Sequence, residues 1–257
     1  MHSLYKYCPI YDFDKLDNEY AITNVLKNQV TFSTRSNFND LFDSKIDFVI
    51  PDKSELKRTY SLLAGARKRE FKNMFMGENG KRNFVDLKKR LNKKFDEYLF
   101  FCLAHKADNN LMWSHYANSH KGFCLEWDAS KINAEPVRYQ YKIATFELLD
   151  TIKMDFDLID KDQVGLNLWD ALKVKLQEWD YEGEYRFQLG DGMRHLIQEQ
   201  NIKFALVSYE PQWIKSIIFG CRMDKRAIAY LDQHLPSHIK RKYAQEGMSK
   251  IEIVSKN

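Results

Sequence analysis

The sequence predicts an α+β fold on mixed or antiparallel sheets, and three observations carry that expectation. Seven or more short strand-like runs lie among helical periodicities at irregular intervals, without the strand-helix rhythm of a doubly wound fold. Only ten glycines are present, and none forms the Gly-x-Gly-x-x-Gly or Gly-x-x-x-x-Gly-Lys-Ser/Thr spacing that cradles phosphates. Hydrophobic residues make up 44% and aromatics 14% of the 257 residues, enough for a packed core in a single domain.

Leu4 to Cys8 reads as a short strand, and Asp17 to Asn28 as a helix with Ile22, Val25 and Leu26 on one face. Val30 to Ser33 is a strand ending in an Asn-rich polar loop through Asp43. Two amphipathic helices follow, one carrying Leu56, Tyr60, Leu63, Arg67, Phe71 and Met74 inward, the other Phe84, Leu87, Leu91, Phe95 and Tyr98. Gly77-Glu78-Asn79-Gly80 breaks them apart, so residues 53–97 are expected as a helical insertion in a domain spanning 1–257. Tyr98 to Ala104 is a strand, Asn110 to Asn118 a short helix, and Gly122 to Trp127 and Pro136 to Tyr141 are strands. Val164 to Trp179 fits a helix with Val164, Leu168, Leu172, Leu176 and Trp179 inward. Strands are expected at Tyr181 to Leu189, Ile202 to Tyr209 and Ile214 to Phe219, then a helix from Asp224 to Leu235 and a last strand from Lys250 to Val254.

Charge is distributed unevenly along the chain. Lys53 to Lys94 holds fourteen Lys/Arg against four Asp/Glu, whereas Glu147 to Glu184 holds eleven Asp/Glu against four Lys/Arg. The basic hairpin, with Arg67, Lys68, Arg69, Lys88, Lys89 and Arg90, reads either as a solvated face or as a surface for RNA, DNA or an acidic partner. Met1 to Lys6 leads into strand-like sequence with no apolar leader, and the apolar runs are too short to span a bilayer. Cys8, Cys102, Cys124 and Cys221 form no Cys-x-x-Cys pair, so free thiols in a reducing cytoplasm and no membrane association are expected. His105, His115 and His120 lack zinc-site spacing, and no Gly-x-Ser-x-Gly elbow is present.

Three polar motifs remain. Trp179-Asp180-Tyr181-Glu182-Gly183-Glu184-Tyr185-Arg186 sets two carboxylates two residues apart, which on a strand places Glu182 and Glu184 side by side with Arg186 on the same face. Such a pair serves a solvated face neutralised by Arg186, or a site that holds a sugar hydroxyl and stabilises developing positive charge. Phe32 to Asp43 is a loop in which Asn and Asp side chains cap turns while Phe38 and Phe42 anchor it. Leu111 to Gly122 places Trp113 and Tyr116 on one helical face, where packing and cofactor stacking are both open.

Taken together, Leu4-Tyr5-Lys6-Tyr7, Phe-Asn-Asp-x-Phe-Asp, Met-Trp-Ser-His-Tyr-Ala with His-Lys-Gly after it, and Trp-x-Tyr-Glu-x-Glu-Tyr-Arg resemble a widespread prokaryotic domain family of unknown function. The motif order is also similar to the ADP-ribosyltransferase superfamily. That likeness implies a split-sandwich fold and NAD as substrate, with Lys6 in the first motif, Ser33 and Thr34 in the second, and Glu182 and Glu184 in the third. On this likeness Glu184 is the catalytic carboxylate, meeting the ribose 2′-hydroxyl beside an oxocarbenium-like cation, and Glu182 orients the acceptor nucleophile. Lys6 and Arg35 hold the pyrophosphate. Tyr5, Tyr7, Trp113 or Tyr116 stack on a base, with His115 in the same stretch, and Asn39 shapes the loop. The likeness further implies a macromolecular acceptor, a role as toxin or antiviral-defence effector, and a neutralising partner protein. Two other classes stay open: a nuclease or other hydrolase using His115, His120 and the glutamates, and a non-enzymatic nucleic-acid-binding module.

Overall fold

The computed structural model describes residues 2–255. In chain order the elements begin β1 (Ser3–Cys8), α1 (Tyr20–Leu26), β2 (Gln29–Thr34), β3 (Ile46–Val49), α2 (Lys53–Leu62), α3 (Gly65–Phe71) and α4 (Gly80–Asp96). Then come β4 (Leu99–Ala104), α5 (Asn110–Tyr116), β5 (Phe123–Asp128), β6 (Glu135–Pro136), β7 (Arg138–Gln140), β8 (Ala144–Glu147), α6 (Leu148–Asp155) and α7 (Lys161–Leu172). The last are β9 (Val174–Leu176), β10 (Glu184–Gln188), β11 (Ile197–Gln200), β12 (Phe204–Ser208), β13 (Ile214–Phe219), α8 (Lys225–His234), β14 (Lys240–Glu246) and β15 (Ile251–Ser255). They divide into two compact units: Met1–Asn37, Tyr98–Val137 and Glu178–Asn257 form the first, Phe38–Glu97 and Arg138–Gln177 the second. The helices of 53–97 therefore share a unit with a second stretch of chain, beyond the simple insertion the sequence suggests. No helix among the described residues is long and apolar enough to cross a membrane.

The first unit is an α+β body around an eleven-stranded sheet ordered β11-β12-β2-β4-β1-β5-β13-β14-β15, with β10 on β4 and β6 on β10. Every pairing is antiparallel except β13 with β14, so the sheet is mixed, in the class the sequence predicts. Alternation along the strands gives it two apolar faces. One face, with Leu4, Phe32, Leu103, Leu125 and Phe219, is covered by Ile22 and Val25 of α1 and by Ala227 and Leu231 of α8. The other, with Tyr7, Ala104, Cys124, Ile218 and Ala244, is covered in part by Met112 and Trp113 of α5. The four cysteines are free thiols.

β4 organises the region that matters for function. β10 runs along one of its edges, with Glu184 opposite Ala104 and Gln188 opposite Phe100. Its other edge is shared by β1, which meets it at Ala104, and β2, which meets it at Leu99 and Phe100. Between these contacts the Cys102 carbonyl accepts a hydrogen bond from Lys6 Nζ at 3.0 Å. The lysine supplies the donor that neither neighbouring backbone offers there.

The second unit holds α2, α3, α4, α6 and α7 with two short parallel pairings, β3 with β8 and β7 with β9. Asp52 caps α2 by accepting from Ser54 N and Glu55 N, while Glu55 accepts from Asp52 N. This reciprocal pair is legible in the sequence as Asp-x-x-Glu. Phe71, Phe75, Phe84 and Phe156 form an aromatic core with ring centroids 5.3–5.5 Å apart between successive partners.

Several element boundaries differ from the sequence expectation. The first basic helix breaks at Leu63–Gly65, where Gly65 adopts φ +55°, and a π turn at Lys72–Met76 follows α3. The helix expected to Trp179 ends at Leu172, because Val174–Leu176 goes extended to pair with β7. Leu176 and Trp179 keep helical spacing after the helix has stopped. Val137 interrupts the expected Pro136–Tyr141 strand, leaving β6 to pair with β10 and β7 with β9. The predicted strand from Tyr181 begins only at Glu184, because Gln177–Glu182 is a 3-10 helix.

Candidate functional site

The Glu-x-Glu motif is a turn rather than a strand face. Gly183 adopts φ +49°, which breaks the two-residue alternation and sends its neighbours apart. Both carboxylates are buried, 4% and 6% exposed. Glu182 accepts a short hydrogen bond from Tyr116 Oη. Glu184 Oε1 accepts from Arg186 Nε at 2.9 Å and Nη2 at 2.8 Å. Arg186 is fully buried with its guanidinium carbon 5.6 Å from the Phe100 ring centroid, so the solvated face considered from the sequence is excluded. Burial first, and Glu184 after it, pushes the neighbouring Cys102 thiol up, so it stays protonated at neutral pH.

Gly183 is also where the chain passes closest to His105. His105 N donates to Gly183 O at 3.1 Å, and a Cβ on Gly183 would lie 1.7 Å from His105 Nδ1. Gly183→Ala is expected to cost about 1–3 kcal/mol through steric overlap alone, with left-handed strain in addition. Urea unfolding measures it, and a variant as stable as wild type would show that the turn tolerates a side chain.

Cross-strand register decides which sequence-predicted residues meet. Tyr5, Ala104 and Glu184 form one row across β1, β4 and β10. Strands are about 4.8 Å apart, so Tyr5 and Glu184 have backbones about 10 Å apart with side chains on one face. Ser33 lies on that face at the far end of β4, opposite Phe100. Lys6 does not join them. Alternation from Tyr5 turns it to the opposite face, where it pairs with Leu125 and lies 5.2 Å from the Phe101 ring centroid. Thr34, opposite Leu99, also faces away and bonds Ser36 Oγ and Lys203 O. Arg35 is half-buried and opens the turn that follows β2.

Two predicted stacking residues belong to the core. Trp113 is 0% exposed, donates from Nε1 to Ala107 O at 2.7 Å, and meets Tyr7 edge-to-face at 5.2 Å. Tyr7 is 5% exposed and donates to Lys106 O. Neither ring face is open to a ligand. His120 is buried too, stacked on Trp113, so it is not placed for hydrolytic chemistry. His115, Tyr116 and Tyr181 instead gather near Glu182, with centroids 6.2–6.5 Å apart. Tyr181 is held by Asn109 Nδ2, which donates to its carbonyl. Asn109 escaped the sequence reading, and His105 entered it only as a histidine without zinc-site spacing.

The Met-Trp-Ser-His-Tyr-Ala…His-Lys-Gly motif is largely architectural. Asn118, Ser119 and His120 are three consecutive left-handed residues, at φ 46°, 54° and 70°. That conformation costs about 1–2 kcal/mol per non-glycine residue. Bonds from His120 N to Trp113 O, Gly122 N to Ala117 O and Asn118 Nδ2 to Ile10 O offset it. Gly122 is required because a Cβ would fall 2.0 Å from the Cys8 carbonyl oxygen.

In the second unit, Asn39 is exposed at the start of the polar loop, and Asp40 Oδ1 accepts from Phe42 N at 2.8 Å. Asp43 is buried, with Lys175 Nζ 3.4 Å from its Oδ2. Lys175 was missed because the sequence reading carried a helix through to Trp179, where a lysine between inward Leu172 and Leu176 reads as a solvated position. Of the six basic-hairpin candidates, Arg69, Lys89 and Arg90 are exposed without a strong structural tie. Arg67 is ion-paired with Asp157, Lys68 lies over Tyr60, and Lys88 is half-buried over Phe48. Among the described residues, no group of three or more His, Cys, Asp and Glu is placed to hold a metal ion.

Residues 112–187 match the model of a family described as a protein of unknown function, DUF2971. The matched stretch runs from α5 to β10 and contains both the Met-Trp-Ser-His-Tyr-Ala and the Trp-x-Tyr-Glu-x-Glu-Tyr-Arg motifs. A domain of unknown function is thus what the motifs identify. No curated protein and no solved structure matches the chain, and these comparisons lend no support to the ADP-ribosyltransferase resemblance read from the motif order.

Proposed function

We propose that this protein is an ADP-ribosyltransferase-like enzyme that takes NAD as substrate. The observation that carries the reading is the Tyr5–Ala104–Glu184 row, which puts the stacking candidate Tyr5 and the third-motif Glu184 on one sheet face, with Ser33 further along it. Loss of nicotinamide leaves an oxocarbenium-like cation, so the reaction needs a fixed anion at the ribose more than a strong base. Glu184 suits that role because two guanidinium bonds hold its carboxylate in one orientation. Glu182, hydrogen-bonded to Tyr116, would orient the acceptor. Lys6 has no direct part in this arrangement.

The acceptor is proposed to be a nucleic acid held by the second unit, on the strength of exposed Arg69, Lys89 and Arg90. Incubation with NAD tests the reading directly: wild type is expected to release nicotinamide and Glu184→Gln to lose that release. Absence of release by pure, folded wild type across a range of NAD concentrations, with RNA or single-stranded DNA present, would overturn it. Neutralising Arg69, Lys89 and Arg90 together is expected to abolish labelling of RNA while leaving nicotinamide release intact. Filter binding across a salt series checks the same surface, with affinity falling by roughly 0.7 log units per log unit of salt for each phosphate contact on single strands.

A further inference from the structure

The sheet face that carries Tyr5 also holds a cavity of about 720 Å³. Its volume lies within the range of small-molecule sites, about 300–1,000 Å³. Tyr5 on β1, Ile218 on β13 and Lys242 on β14 contribute from the sheet, and Lys250–Ser255 from β15 and the residue before it. His105, Lys106 and Asp108 enter from the loop after β4. From β1 to β15 the sheet passes through β5, β13 and β14, a span of about 19 Å at 4.8 Å per strand. An inorganic ion needs far less room.

One of the cations is fixed before any ligand arrives. Lys242 Nζ donates to Glu126 Oε2 at 2.6 Å, and Glu126 also accepts from Ser3 Oγ and Ser216 Oγ. Burial works against the Glu126 carboxylate, yet bonds from Lys242, Ser216 and Ser3 hold it below the usual carboxylate range. An ammonium has three N–H groups, so Lys242 keeps donors beyond the one given to Glu126. His105 Nδ1 is buried against Gly183 with no hydrogen-bond partner. An unmet N–H there would cost more than an unmet lone pair, so the ring proton belongs on Nε2, a further donor.

We infer that this cavity binds a phosphate-bearing ligand of nucleotide size, with the phosphates on the lysines and the base against Tyr5. Lys106, Lys242 and Lys250 line it; Lys242 is paired with Glu126 and Lys250 lies 3.9 Å from Glu252, so a phosphate would rest on Lys106 and on the spare N–H groups of the other two. The lining holds lysines and no arginine, so a phosphate here would be held by point charges and not by a bidentate fork. Ile253 and Val254, both half-buried, supply the apolar surface that a base covers. None of this depends on the transferase reading.

Calorimetric titration with ADP tests the inference without any turnover, with adenosine and inorganic pyrophosphate as separate arms. ADP is expected to bind more tightly than either part, and more weakly as salt rises. The double variant Lys106→Gln/Lys250→Gln alters two exposed side chains and is expected to stay folded while its Kd for ADP rises about tenfold or more. Tyr5→Ala is expected to weaken ADP and adenosine and to leave pyrophosphate unchanged. No heat with millimolar ADP, or an unchanged Kd in the double variant, would overturn the assignment.

Discussion

Arg186→Ala is expected to lose about 3–5 kcal/mol of stability, a large part of the roughly 5–15 kcal/mol that holds a domain folded. The side chain is 0% exposed and gives Nε and Nη2 to one oxygen of Glu184, itself 6% exposed. Removing the guanidinium takes two charge-assisted hydrogen bonds and the counter-charge from a buried carboxylate and opens a cavity against Phe100. Arg186→Lys keeps the charge but not the fork, and should fall between wild type and alanine. Replacing both partners, as in Glu184→Leu/Arg186→Met, should recover most of the loss, since an apolar pair leaves no stranded charge. Urea denaturation of the three variants beside wild type measures this. An Arg186→Ala protein within 1 kcal/mol of wild type would show that water or rearranged neighbours solvate Glu184.

The same residues show how much of the site the sequence disclosed. Arg186 next to two glutamates was legible as a charge partner, but its burial was not. A strand with alternating charges reads as solvent-facing unless the opposite surface is known. Gly183 between the glutamates was the missed sign: a glycine inside a strand pattern marks a break or a close approach, and here it marks both. Tyr5 and Glu184 were legible as separate motif members, whereas their meeting across β4 is a matter of register, which no local pattern records. Lys6 illustrates the cost of that gap, since one step along β1 moves a side chain to the other face of the sheet. Trp113 and His120, in the motif considered for cofactor stacking or hydrolysis, turned out to secure a strained turn. Among whole elements, α4 and β4 were clear because long periodic or uninterrupted apolar runs leave little choice. β9 was lost because pairing with β7 overrode a continuing helical pattern.

Glu184→Gln separates chemistry from architecture at the same position. On the transferase reading the carboxylate acts mainly on the transition state, so its removal should lower nicotinamide release by roughly 10² to 10³. The glutamine carbonyl is nearly isosteric and still accepts from Arg186, but the buried guanidinium loses its counter-charge, so the stability cost should lie between about 1 kcal/mol and the roughly 3–5 kcal/mol of Arg186→Ala. The rate and the unfolding midpoint must therefore be measured on the same preparation. A stable Gln variant with full nicotinamide release would remove Glu184 from the reaction and leave it as a packing partner of Arg186. Glu182→Gln supplies the complement. It changes the carboxylate bonded to Tyr116 and should harm transfer to an acceptor more than hydrolysis of NAD. Equal loss of both activities in Glu182→Gln would mean that the turn around Gly183 works as one unit, with no division between ribose and acceptor sides.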